Sequence, residues 1–181
     1  MILFFGSAGS GKGSQAEKLT EVLGWRWLSS GQLLRESTDP EIKALLAGGN
    51  LVPLEKFGQL FADAIRDSKD AGNVILDGFP RKLEQVEWLE NHKDELGHDI
   101  QLGIVLDVPK EEVVKRMMLR ARADDTPEAI EKRLSIYHEE IDPILEHLEA
   151  NEVPVVHVDG VGGIDEVHER VLRAIKANNL A

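Results

Sequence analysis

The chain contains no cysteine, which excludes disulfides and any thiolate zinc site. No apolar stretch approaches the roughly 20 residues needed to span a membrane. The short N-terminal apolar run has no basic segment before it, so no secretory leader is expected. Basic residues are outnumbered, with 21 Lys plus Arg against 33 Asp plus Glu, a net charge of −12. A protein of nucleic acid or membrane surfaces would carry a basic footprint instead. The expectation is a cytoplasmic protein with no nucleic-acid and no membrane partner, in which any anionic ligand is held by local cations against the overall field. Repeats, low-complexity tracts and linkers are missing too, and 181 residues suit one domain with a sizeable core.

What is present alternates. Nearly continuous apolar runs at residues 1–5, 25–28, 73–76, 102–108 and 154–158 fit strands buried on both faces of a parallel sheet. Between them, helical periodicity predicts helices over about residues 12–24, 31–38, 40–47, 54–70, 82–94, 110–121, 126–150 and 164–178. Asp39-Pro40 and Thr126-Pro127-Glu128 place a capping residue before an N1 proline, and Gly48-Gly49 marks a helix end. Asp142-Pro143 is expected to kink or break the long helix that contains it. Strands alternating with helices predict an α/β fold with right-handed crossovers.

After the first run comes Gly6-Ser7-Ala8-Gly9-Ser10-Gly11-Lys12-Gly13-Ser14, the P-loop pattern G-x-x-x-x-G-K-[ST]. Glycines let successive backbone N–H groups turn onto phosphate oxygens, with a helix N-terminus behind them. Lys12 would reach the β and γ phosphates, and the Ser14 hydroxyl would face Mg²⁺. A glycine-rich β–α turn could match by accident, but the strand before and amphipathic helix after favour nucleotide binding.

Asp77-Gly78-Phe79-Pro80-Arg81 follows the third run. An acid at the carboxyl end of a buried strand is placed to hold a magnesium water shell, and the Arg81 fork suits a phosphate oxyanion. Arg116 and Arg120 are four residues apart on one predicted helix and share a face. Arg122 and Arg133 flank Asp124-Asp125, whose carboxylates could fix them by ion pairs. Such a charge run is often only a solvated face, but a transferring phosphoryl group needs clustered cations of this kind.

These motifs, with Ser29-Ser30-Gly31-Gln32-Leu33-Leu34-Arg35, Leu51-Val52-Pro53, Arg122-Ala123-Asp124-Asp125, Arg133-Leu134 and Val158-Asp159-Gly160, make the chain resemble the adenylate kinase family of nucleoside monophosphate kinases. The resemblance implies a three-layer P-loop nucleotide kinase. Its five-stranded parallel sheet would run in the order 2-3-1-4-5, with a helical insertion for the acceptor over about residues 29–60. The core would be residues 1–28, 61–119 and 126–181, with a reduced lid at about 120–125. It implies reversible, Mg²⁺-dependent transfer of the ATP γ-phosphoryl group to AMP, and no zinc. Gly9, Ser10, Gly11, Lys12, Gly13 and Ser14 would hold ATP phosphates, Arg116 would stack on its adenine, and Gly160 and Gly162 would contact that base's edge. Ser30, Gly31, Arg35, Leu51, Val52, Gly78, Arg81 and Gln85, with Arg122 and Arg133, would hold AMP. Lys12, Arg81, Arg120, Arg122 and Arg133 would surround the migrating group, and Ser14 and Asp77 (through water) would hold the metal. A monomer is expected, or an oligomer if another chain compensates for the reduced lid.

The resemblance favours AMP over a pyrimidine monophosphate: Ser30 stands where adenylate kinases place a small hydroxyl residue, and the Gln85 amide would match the N1 and N6 edge of adenine. A kinase of UMP, CMP or another monophosphate, and a non-catalytic nucleotide-binding regulatory module, remain as alternatives. Three positions depart from the family. Ala8 replaces the usual P-loop proline, Gln32 stands where an aspartate is usual, and only Ala121 separates Arg120 from Arg122, where the family has a longer lid. Little cover over ATP leads to an expectation of acceptor-independent hydrolysis, or of cover from another chain. The six histidines show no ligand spacing. Trp25 and Trp27 are expected in the core, and Trp88 in helix packing.

Overall fold

The computed structural model describes residues 1–120, 122 and 125–181. Strands β1 (Ile2–Phe5), β2 (Arg26–Ser29), β3 (Val74–Asp77), β4 (Leu102–Asp107) and β5 (Val155–Asp159) pair in parallel in the order β2-β3-β1-β4-β5. These are the five parallel strands the apolar runs predict, in the order the resemblance implies. Burial separates its centre from its edges. All of β1 and most of β3 and β4 are buried, whereas β2 and β5 bury only Leu28 and Val158. An edge strand has only one neighbour, so part of its surface stays with solvent.

Around the sheet lie α1 (Lys12–Leu23), α2 (Ser30–Glu36), α3 (Pro40–Ala47), α4 (Leu54–Arg66), α5 (Leu83–Asn91), α6 (Lys93–Leu96), α7 (Lys110–Arg120), α8 (Pro127–Ala150) and α9 (Ile164–Ala177). Side chains alternate across β1 and sort the helices into two layers. Leu3 and Phe5 face a core with Phe57, Phe61, Val86 and Leu148, which brings in α4, α5 and α8. Ile2 and Phe4 face Ala16, Leu19, Val167, Val171 and Ile175 from α1 and α9. Among the described residues no helix is long and apolar enough to cross a membrane.

Several boundaries differ from the sequence expectation. The stretch at 54–70 stops being helical at Arg66, and 82–94 is divided at His92 into α5 and α6. Pro143 does not break α8, which is continuous around it. Pro143 and Glu139, whose carbonyl lacks the proline's N–H, are both on the exposed face, where water can serve that oxygen. Both expected caps form: the Asp39 and Thr126 side chains accept backbone N–H groups of Glu41 and Ala129. α4 runs through the expected insertion boundary at residue 60, and its buried Phe57 and Phe61 belong to the same core as β1.

Candidate active site

A cleft of about 660 Å³ opens at the carboxyl ends of the strands, where an open parallel sheet places its ligands. The β1–α1 turn forms its floor. Gly9, at φ 89°, could carry no side chain, because a Cβ there would lie 2.7 Å from Met117 and 3.0 Å from the Val113 carbonyl oxygen. Lys12 folds back over the loop and donates to the carbonyls of Gly6 (2.7 Å) and Ser7 (3.0 Å). Burial drives its ammonium down to about 8; Asp77 opposes the shift, while Arg81 and Arg120 add to it. A cation held this unfavourably is primed to accept phosphate oxygens.

The D-G-F-P-R segment turns sharply at Gly78, with φ 76°; a Cβ there would sit 2.8 Å from Ser30 Oγ and 2.9 Å from an Arg81 nitrogen. Its carbonyl accepts from both Ser30 Oγ and Arg81 Nε, each at 2.6 Å. Ser30 thus locks the end of β2 to the turn after β3. The Gln85 Oε1 accepts the Arg81 backbone N–H at 2.7 Å. Gln85 is only 3% exposed, so it is not the solvent-facing helix residue its spacing alone allowed. Arg35 extends over Gly31, since a Cβ on that glycine would lie 3.0 Å from a guanidinium nitrogen.

Asp125, with a 1% exposed side chain, binds two arginines. Arg120 Nε and Nη2 donate to its two oxygens at 2.6 and 2.9 Å, and Arg133 Nη1 donates to Oδ1 at 2.8 Å. Burial alone would raise its carboxyl, but Arg120 and Arg133 outweigh it and hold the group below the usual carboxylate range. Arg133 Nη2 also reaches the Leu46 carbonyl at 3.2 Å, joining α8 to the end of α3. Asp125 thus holds Arg133, as expected, and Arg120 besides, while Asp124 lies outside the described residues. So do Ala121 and Ala123 of the short lid.

The cleft gathers Gly9, Gly11, Lys12, Gly13, Ser14, Ser30, Gly31, Arg35, Leu51, Val52, Asp77, Gly78, Arg81, Gln85, Arg116, Arg120, Arg122 and Arg133 along one wall or another. Ser10, Gly160 and Gly162 are not in its lining. Ser10 and Gly160 stand just behind and are tied to it by Arg116, which donates to both carbonyls at 3.2 Å. Gly162 is exposed. Trp27 belongs to the cleft and not only to the core: its indole lies against Gly13, within 3.4 Å of where a Cβ would stand. Edge-strand placement brings it beside the start of α1, a neighbour that alternation on β2 does not reveal. Trp25 is buried and Trp88 packs edge-on to Phe79, as expected. Glu17 also lines the cleft, one turn beyond Ser14. Its i,i+3 spacing from Ser14 is the signal that could have found it.

Gln32 turns its amide onto Glu36 at 3.0 Å, so Asp77 and Glu17 are the acids lining the cleft among the described residues. Asp77 and the Ser14 hydroxyl supply the oxygen donors that Mg²⁺ prefers, few enough to leave it several waters. No group of three or more His, Cys, Asp or Glu that could hold a metal ion occurs among the described residues.

The family model described as adenylate kinase matches residues 4–153. The adenylate kinase of Nocardia farcinica is 35% identical over 180 residues, covering 96% of this chain and 98% of the relative. The one from Mycobacterium tuberculosis is 37% identical with the same coverage. That of Thermus thermophilus is 38% identical over 185 residues, covering 96% of each. At such coverage these relatives have no room for a large lid subdomain that this chain lacks.

Proposed function

The chain belongs to the adenylate kinase family, a phosphotransferase family, and we propose that the cleft described above is where it transfers the γ-phosphoryl group of ATP to AMP. One observation carries this assignment of residues: a single cleft is lined by the P-loop with Lys12 on one side, by Arg35, Arg81 and Gln85 on the other, and by Arg120, Arg122 and Arg133. Two anionic ligands with cations between them is the arrangement in-line phosphoryl transfer requires.

ATP phosphates lie on the N–H groups from Gly9 to Ser14, and Lys12 leaves the carbonyls of Gly6 and Ser7 for phosphate oxygens. The adenine lies by Arg116, Gly160 and Gly162. Arg35 and Arg81 grip the α-phosphate of AMP, with Arg81 held in place by the Gly78 carbonyl that Ser30 also binds. Leu51, Val52 and Gln85 receive its base. Arg120, Arg122 and Arg133 meet the charge spread over the migrating phosphoryl oxygens, positioned by Asp125. Ser14 and, through water, Asp77 would hold Mg²⁺, which would supply positive charge against the phosphates. No side chain forms a covalent bond to the group in flight. The insertion at residues 29–60 is the acceptor arm of a single domain, working as a cytoplasmic monomer.

Formation of ADP from Mg-ATP and AMP, compared among the parent chain, Lys12→Met and Arg81→Ala, tests the placement. Both variants should fold and lose turnover by orders of magnitude. A near-normal rate in either removes the assignment.

A further inference from the structure

The Arg116 guanidinium is held by three separate elements. Nε donates to Glu112 Oε1 at 2.8 Å, one turn earlier on α7. Nη1 donates to the Ser10 carbonyl of the P-loop and the Gly160 carbonyl after β5, and Nη2 donates to Gly160 again, all at 3.2 Å. Guanidinium N–H bonds lie in the plane of the group. Three acceptors around its edge therefore fix that plane and leave its flat face without a hydrogen-bonding partner. Arg116 lines the cleft, and a Cβ on Gly11 would lie 3.8 Å from Nη1, so the P-loop glycine leaves space beside the guanidinium.

We infer that Glu112 is a positioning residue for the donor base: it turns Arg116 so that the face, and not an N–H edge, meets the adenine. Without it, the two carbonyl contacts through Nη1 and Nη2 act as a hinge about which the plane can rotate. The hydrogen bond from Arg116 holds the Glu112 carboxyl below its ordinary range. Its other oxygen, Oε2, faces Lys115 Nζ at 3.8 Å, a weak surface contact that does not compete for the position. The inference rests on the reading of Arg116 as part of the ATP site.

The test compares Glu112→Ala and Glu112→Gln with the parent chain. Calorimetry measures binding of ATP and of inorganic tripolyphosphate, which has phosphates and no base, and kinetics give kcat and both KM values. Glu112→Ala is expected to weaken ATP binding and raise its KM by about 3- to 30-fold, as loss of a cation–ring contact would. Tripolyphosphate binding, kcat and the KM for AMP should stay within about twofold. Glu112→Gln keeps an acceptor oxygen and should recover most of the loss. Equal weakening of ATP and tripolyphosphate, or unchanged ATP binding in Glu112→Ala, overturns the inference. If the parent chain itself binds ATP no better than tripolyphosphate, the donor-base assignment of Arg116 fails first.

Discussion

The backbone N–H of Arg81 donates to the side-chain Oε1 of Gln85 at 2.7 Å, which joins the proposed phosphate clamp of the acceptor to the proposed reader of its base. Replacing Gln85 with alanine removes the partner of that N–H and the amide that faces the base. A buried hydrogen bond left half-made costs about 1–3 kcal/mol. kcat/KM for AMP should therefore drop by roughly 5- to 150-fold. Gln85→Asn, one methylene shorter, cannot reach the Arg81 N–H and the base together, so preference for AMP over CMP and UMP should narrow. Selectivity unchanged in the asparagine variant would show that Gln85 acts only on Arg81.

Lys12 sets a pH limit on donor binding. Burial brings its ammonium from 10.5 to about 8, so it is charged below that pH and neutral above it. Phosphate binding needs the cation and raises its pKa again. ATP affinity should be full below pH 8 and weaken as pH rises through it, and binding near pH 8.5 should take up a proton. Calorimetry in buffers of different ionisation enthalpy measures that uptake. It should vanish in Lys12→Met.

Asp125 joins two of the cations that would surround the migrating group. Asp125→Asn keeps the shape and removes the charge, leaving Arg120 and Arg133 to repel each other in a half-buried setting. Breaking such a pair from one side costs about 3–5 kcal/mol of stability. Displaced arginines should lower turnover on the order of 10²-fold. Thermal unfolding and kcat together check this; a loss in stability with turnover intact would make Asp125 purely structural.

Gly49 governs how closely the proposed acceptor arm meets the start of α8. Its φ is 68°, and a Cβ there would lie 2.8 Å from the Ala129 carbonyl oxygen at the start of α8. Gly49→Ala should add about 1–3 kcal/mol of strain, relieved when the arm moves outward. The KM for AMP should rise about 5-fold or more, with the KM for ATP unchanged. Equal changes in both would argue against an effect local to the arm.

The sheet was legible because three central strands are nearly continuously apolar and a stretch of helical periodicity follows each. The P-loop, Asp77-Gly78-Phe79-Pro80-Arg81 and the arginines were legible for another reason: their chemistry demands particular residues at short, fixed spacings. Contacts across the fold were not. Neither the Arg116 bond to Gly160 nor the Arg133 bond to Leu46 leaves any local pattern. Trp27 reads as core from alternation alone, and only the parallel pairing of edge strand β2 brings it beside Gly13. Helix ends at Arg66 and His92 were missed because no glycine or proline marks them. The short connection after Arg120 reads as a reduction when set against longer lids. The relatives align over nearly their whole length.

The central claim is that the cleft joins an ATP site at Lys12 to an AMP site at Arg35, Arg81 and Gln85. Initial rates of ADP formation from Mg-ATP with AMP, CMP and UMP supplied one at a time test it most directly. The account predicts rapid transfer to AMP and kcat/KM values at least about 100-fold lower for the pyrimidine acceptors, since a mismatched base leaves buried polar groups unpaired. Equal or faster transfer to CMP or UMP, or nucleotide binding with no transfer to AMP, would contradict it.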